Sequence, residues 1–134
     1  MNIQEWLLQA RIIDARVREL ETAREGAKRL LGLNSVPLYP ERVQVSKENR
    51  TENHLVRYLA LDEELRAQTG RLLALKRDIL AAIDRVSDPL LCTILTAYYI
   101  NAKTLEVIAE ELNYSVRQIS RLHQKAVAAV EAAQ

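Results

Sequence analysis

Between Ile3 and Leu31 apolar residues return every third or fourth position, at Ile3, Trp6, Ala10, Ile13, Val17, Leu20, Ala27 and Leu31, with Arg24 the one charged residue on the seam. That spacing predicts a helix of about four heptads with a narrow stripe facing a partner helix. Gly32 and Asn34 both favour the left-handed residue that closes a helix, so the first one ends there. The pattern returns from about Glu52 to Val86, in Leu55, Leu59, Leu65, Leu72, Leu75, Ile79, Ile83 and Val86, and is weakened where Asp62, Thr69 and Lys76 fall near the seam. The stretch from Asn34 to Thr51 holds Pro37, Pro40, an alternating Val43-Gln44-Val45 and the polar run SKENRTEN. It reads as a loop longer than the usual connection. The two seams predict an antiparallel hairpin whose helices are each roughly 45 Å long at about 1.5 Å per residue. Two helices make a thin core, so their remaining apolar surface should pack on the C-terminal segment, on another copy, or on both.

Ser87-Asp88-Pro89 breaks the pattern and restarts it, since Asp88 can cap and Pro89 suits a first helical position. Leu90 to Tyr99 is apolar nearly all round, as the central helix of a small domain would be. Tyr98 could cover the core and Tyr99 a phosphate-proximal edge, but plain packing with a bonded hydroxyl is the expectation for both. Thr104 then caps a helix of about two turns, with Leu105, Ile108, Ala109 and Leu112 on one face. Asn113 tolerates the left-handed conformation a sharp turn needs. Ser115 and Gln118 form an S-x-x-Q capping box, so the next helix begins at Val116. Its inward stripe is Ile119, Leu122, Ala126 and Val130, while Arg117, Gln118, Ser120, Arg121, Gln124 and Lys125 point elsewhere.

The fold class expected is therefore all-α: a long, coiled-coil-like N-terminal antiparallel helical hairpin over residues 1–86, with its loop at about 32–51, followed by a small trihelical helix-turn-helix domain over 87–134. Ala109, small at the fifth position of that unit, lets its two helices approach closely, and Ile119, ten residues on, is its buried branched residue. From Ser115 to Val130 there are three basic residues and no acidic one. Arg and Gln can pair with base edges in the major groove, while Lys and Ser hold phosphates. The candidate DNA contacts are Thr104, Ser115, Val116, Arg117, Gln118, Ser120, Arg121, Gln124 and Lys125. The plainer alternative is a trihelical core with a solvated basic face.

A specific resemblance lies on these residues. The run Tyr98-Tyr99-Ile100-Asn101-Ala102-Lys103-Thr104, then Ile108-Ala109, Leu112, Ser115, Ile119, Arg121 and Lys125-Ala126, resembles sigma-70 region 4. It is more similar still to small phage-encoded regulators with a region-4-like helix-turn-helix, the ArpU/RinA-type late-gene regulators. The resemblance covers residues 88–131, and it departs from the pattern at Asn113, where Gly is commoner in the turn, and at Val107, where a capping-box Glu is missing. It implies a phage or prophage transcriptional regulator in the cytoplasm of a bacterial host. Double-stranded DNA is the expected partner, RNA polymerase a further one, and the N-terminal helices the site of homo-oligomerisation. A complete sigma factor is not expected, because the segment before residue 87 lacks the clustered aromatic and basic residues that strand melting would use. Two other readings stay open: a small-terminase-like DNA-packaging adaptor, and a helical module that docks on RNA polymerase without reading DNA.

Composition narrows the chemistry. Net charge is only +1, so DNA affinity must come from local asymmetry rather than a general pull. One cysteine, Cys92, cannot form an internal disulfide, and its apolar neighbours suggest a small packed residue. His54 and His123 fall in different segments and cannot complete a zinc set with it, so no metal or cofactor is expected. His123 is expected to be packed or at a solvent edge rather than a base reader. The adjacent pairs Glu63-Glu64 and Glu110-Glu111 point about 100° apart on a helix and cannot share a substrate. With no Gly-rich phosphate loop and no nucleophile elbow, an enzyme is not expected. No basic leader with an apolar core and no long apolar run is present, so neither export nor membrane insertion is expected.

Overall fold

A computed structural model of the protein describes residues 2–32 and 44–134, with the side chains of 44–49 excepted. Five helices account for it, and no strand occurs among the described residues: α1 (Ile3–Leu30), α2 (Gln44–Ile83), α3 (Pro89–Leu95), α4 (Leu105–Leu112) and α5 (Val116–Ala133). A π-helical stretch, Thr96–Ile100, continues α3. The expected all-α fold, with long helices first and short ones after, is what forms.

Local chemistry sets the helix ends. The Asn2 side chain accepts from the Glu5 N–H at 2.8 Å and the Glu5 carboxylate accepts from the Asn2 N–H at 3.3 Å, a reciprocal cap that starts α1. Gly32, at φ 71°, closes α1 in the left-handed region. The expected contribution of Asn34 and the readings of Pro37, Pro40 and Val43 lie outside the described residues. Asp88 caps α3 by accepting from the Leu90 N–H at 2.9 Å, and Pro89 follows as its first residue.

One expectation is corrected at α2, which begins at Gln44 rather than near Glu52. The run SKENRTEN contains neither Gly nor Pro to break a helix, so α2 continues through it. At 40 residues α2 is roughly 60 Å long rather than about 45 Å. Leu55 and Leu59, placed on the seam by the sequence pattern, are exposed. The less exposed positions of that half are His54, Tyr58, Leu61, Asp62 and Leu65, a stripe one position out of phase with them.

The chain forms two compact units. The unit Ala15–Gly70 buries Val17, Leu20, Ala27 and Leu65, and Arg24 meets Asp62 at 2.9 Å. Arg66 adds a second contact to the same carboxylate at 3.1 Å. The other unit joins Met1–Asp14 to Arg71–Gln134. Its larger core sets Leu7 and Ala10 of α1 and Ile79, Ala82 and Ile83 of α2 against Leu91, Leu95, Tyr99, Ala126, Val127 and Val130. A second core joins Ile94, Ala97, Ile108, Ala109 and Ile119. Because α3 and its continuation supply residues to both cores, α3 is the central helix of this unit. At its flank Lys76 reaches the buried Asp14 carboxylate at 3.2 Å.

Of the two tyrosines it is Tyr99, not Tyr98, that enters the core, packed and with its hydroxyl 2.8 Å from His123 Nε2. Tyr99 is fully buried in the larger core, and Tyr98 is half-buried. The π-helical turn holds an extra residue per turn, which moves the inward phase from 98 to 99. Cys92 is half-buried, its Sγ 3.2 Å from the Val86 carbonyl oxygen and 3.5 Å from that of Ile83, so the thiol helps to close the end of α2.

Candidate nucleic-acid interface

The two helices of the helix-turn-helix unit are fixed by their own caps. The Thr104 hydroxyl accepts from the Val107 N–H at 3.2 Å and starts α4. Asn113 ends it at φ 60°, ψ 41°, the left-handed conformation that the turn requires. The Ser115 hydroxyl accepts from the Gln118 N–H at 3.1 Å, and the Gln118 Oε1 accepts from the Ser115 N–H at 2.9 Å, so the capping box is complete. With its first donors satisfied, α5 runs from Val116 without a break. Ala109 and Ile119 meet in one core, and the small alanine leaves room for α4 and α5 to approach.

Successive helical residues are about 100° apart, which sorts α5 into two faces. Ile119, Ala126, Val127 and Val130 are buried, with Leu122 and His123 half-buried. The opposite side carries Val116, Arg117, Ser120, Arg121 and Gln124, with Gln118 and Lys125 at its margin. All of these are exposed except Ser120, which is half-buried. Thr104 and Ser115 are exposed as well, each already engaged as a cap. Among the described residues no ion pair uses Arg117, Arg121 or Lys125. The neighbouring α4 differs in charge: Glu106 and Glu110 are exposed, and Glu111 holds Lys103 at 2.9 Å.

Behind α5 the packing is aromatic and neutral. His123 Nε2 lies 2.8 Å from the Tyr99 hydroxyl, and its ring centroid lies 4.7 Å from that of Tyr98. Burial, and secondarily the charge of Arg11, holds the imidazole below its ordinary value. Burial likewise pushes the Tyr99 phenol well above its ordinary range, Tyr98 adds to the rise, and Arg11 opposes it. With both groups neutral, one donates and the other accepts.

Sequence reasoning missed two features. Arg11, from α1, donates to the carbonyl oxygens of Tyr98 at 2.7 Å and Lys103 at 2.9 Å, and its guanidinium carbon lies 3.9 Å over the Tyr98 ring. It thereby satisfies carbonyls that the end of the π-helical stretch leaves open. No pattern within α1 could have shown this, since the partners lie 87 and 92 residues away. Val107 in the first turn of α4 and Tyr114 just after Asn113 are also exposed, at 40% and 38%. Their exposure was visible only as positions off the apolar face.

Among the described residues no group of histidine, cysteine or carboxylate side chains could hold a metal ion, and no helix is long and apolar enough to cross a membrane. Compared with known proteins, residues 33–131 match a family model described as a protein of unknown function, DUF1492. No curated protein and no solved structure matches the chain.

Proposed function

We propose that this chain, which belongs to the DUF1492 family, is a sequence-specific DNA-binding transcriptional regulator that reads the major groove with α5. The observation that carries this reading is the outward face of α5, where Arg117 and Arg121 are exposed on a capped helix and no ion pair among the described residues engages them. A guanidinium held this way can take both acceptors of a guanine edge, and Lys125 at the margin can take a phosphate. Thr104 and Ser115 stand at helix starts, where backbone N–H groups and hydroxyls suit phosphate oxygens. The setting we propose is phage or prophage gene control in a bacterial cytoplasm, with RNA polymerase and a second copy of the chain as further partners.

A salt-titrated gel shift tests this, using the full chain with duplex from upstream of its own gene and with unrelated duplex. Preferential binding should be lost when Arg117→Ala and Arg121→Ala are combined. Each single change should weaken specific binding by about 1–3 kcal/mol while leaving thermal stability nearly unchanged. Equal binding to both duplexes that vanishes at moderate salt would overturn the proposal.

One observation favours a second reading, docking on RNA polymerase without reading DNA. The outer side of α4 presents Glu106, Val107 and Glu110 together, a partly apolar, acidic surface that would repel phosphates. Polymerase binding that survives the double arginine substitution, with no duplex preference in the parent chain, would select that reading.

A further inference from the structure

The bases that this interface reads can be narrowed from the side chains that α5 has free. This inference rests on the DNA reading proposed above. Recognition helices of this kind contact base edges with their N-terminal turns, which here means Val116, Arg117, Gln118, Ser120 and Arg121. Gln118 is the residue type suited to adenine, whose bidentate recognition uses both the Oε1 and the Nε2 of the amide. Its Oε1 is taken by the Ser115 N–H at 2.9 Å, and freeing it would undo the capping box that starts the helix. Gln124, the other amide on this face, lies two turns further along and away from that end.

Val116 is the converse case. It is the first residue of α5 and 43% exposed, so packing does not account for it. Nor does helix formation, since a β-branched residue is a middling helix former. An isopropyl group held at the tip of such a helix, beside Arg117, offers one thing to a major groove: apolar contact for the C5-methyl of thymine. Ser120, one turn on, is small and half-buried. We propose that α5 reads a half-site of guanine and thymine, with Arg117 and Arg121 on guanine edges and Val116 against a thymine methyl, and that it does not use Gln118 for adenine.

The test begins with selection of preferred duplexes from a random pool by the full chain. Each thymine of the selected site is then replaced in turn by uracil, which removes only the methyl. At one position the exchange should weaken binding by the chain about fourfold, the effect of roughly one buried methyl group. Val116→Ala should bind thymine and uracil duplexes equally at that position while keeping its guanine preferences. Gln118→Ala should shift no base preference, whatever it costs in stability. A preferred duplex with no methyl-sensitive position, or one whose sensitivity Val116→Ala retains, overturns this inference and leaves the proposed function standing. A pool that yields no preferred duplex overturns both.

Discussion

His123 and Ala102 show how single residues carry conditional or stored costs. Burial and the Arg11 charge hold His123 below its ordinary value of 6.5. The unfolded chain therefore takes up a proton as pH falls through about 6.5, while the native chain does so only at lower pH. The stability that this residue contributes is complete above the unfolded value and is lost as pH falls toward the folded one. Urea melts from about pH 8 to about pH 5 should show that decline, and His123→Gln should flatten it, because glutamine still offers the Tyr99 hydroxyl a partner without titrating. An undiminished decline in the variant would assign the pH dependence to other groups. Ala102 stores strain of another kind: its φ of 54° puts a Cβ in the left-handed region just after the π-helical stretch. Ala102→Gly should raise stability by about 0.5–1 kcal/mol, seen as a higher urea midpoint with the slope unchanged. A lower midpoint would mean that the half-buried methyl contributes more than the backbone strain costs.

Pairs of elements explain what single elements left obscure. Caps and turns were legible because their chemistry is local: Asp88, Thr104, Asn113 and the Ser115–Gln118 box each stand within a few residues of their partners. The seam breaks were not, because each is half of a contact between helices. Arg24 in α1 looked like a flaw until Asp62, a flaw in α2, met it at 2.9 Å. Lys76 similarly answers Asp14, a buried carboxylate that the apolar pattern passed over in favour of Ile13. Asp14→Ala should therefore cost about 2–4 kcal/mol, because it strands a largely desolvated ammonium. Replacing both residues by leucine should restore most of that loss. Chemical denaturation of the single and double variants checks it, and a double variant no better than the single would show that Asp14 serves chiefly its other contacts.

Taken over the whole chain, 19 basic residues against 18 acidic ones leave almost no net field. Any attraction for DNA must then be local, and among the described residues α5 concentrates it: Arg117, Arg121 and Lys125 lie on one helix with Glu131 as its one acidic residue. A chain like this has no general charge to hold it on DNA once its few contacts are screened, so the salt dependence of binding should count those contacts closely. On the proposed DNA reading Lys125, at the margin of the outward face, would meet a phosphate rather than a base edge through its flexible ammonium. Lys125→Ala should weaken binding to every duplex alike and reduce the slope of log affinity against log salt by about one, with sequence preference kept. Arg121→Ala should instead relax preference at one position. Titrations of both variants at three or more salt concentrations separate the two roles, and an unchanged slope for Lys125→Ala would take that side chain out of the interface.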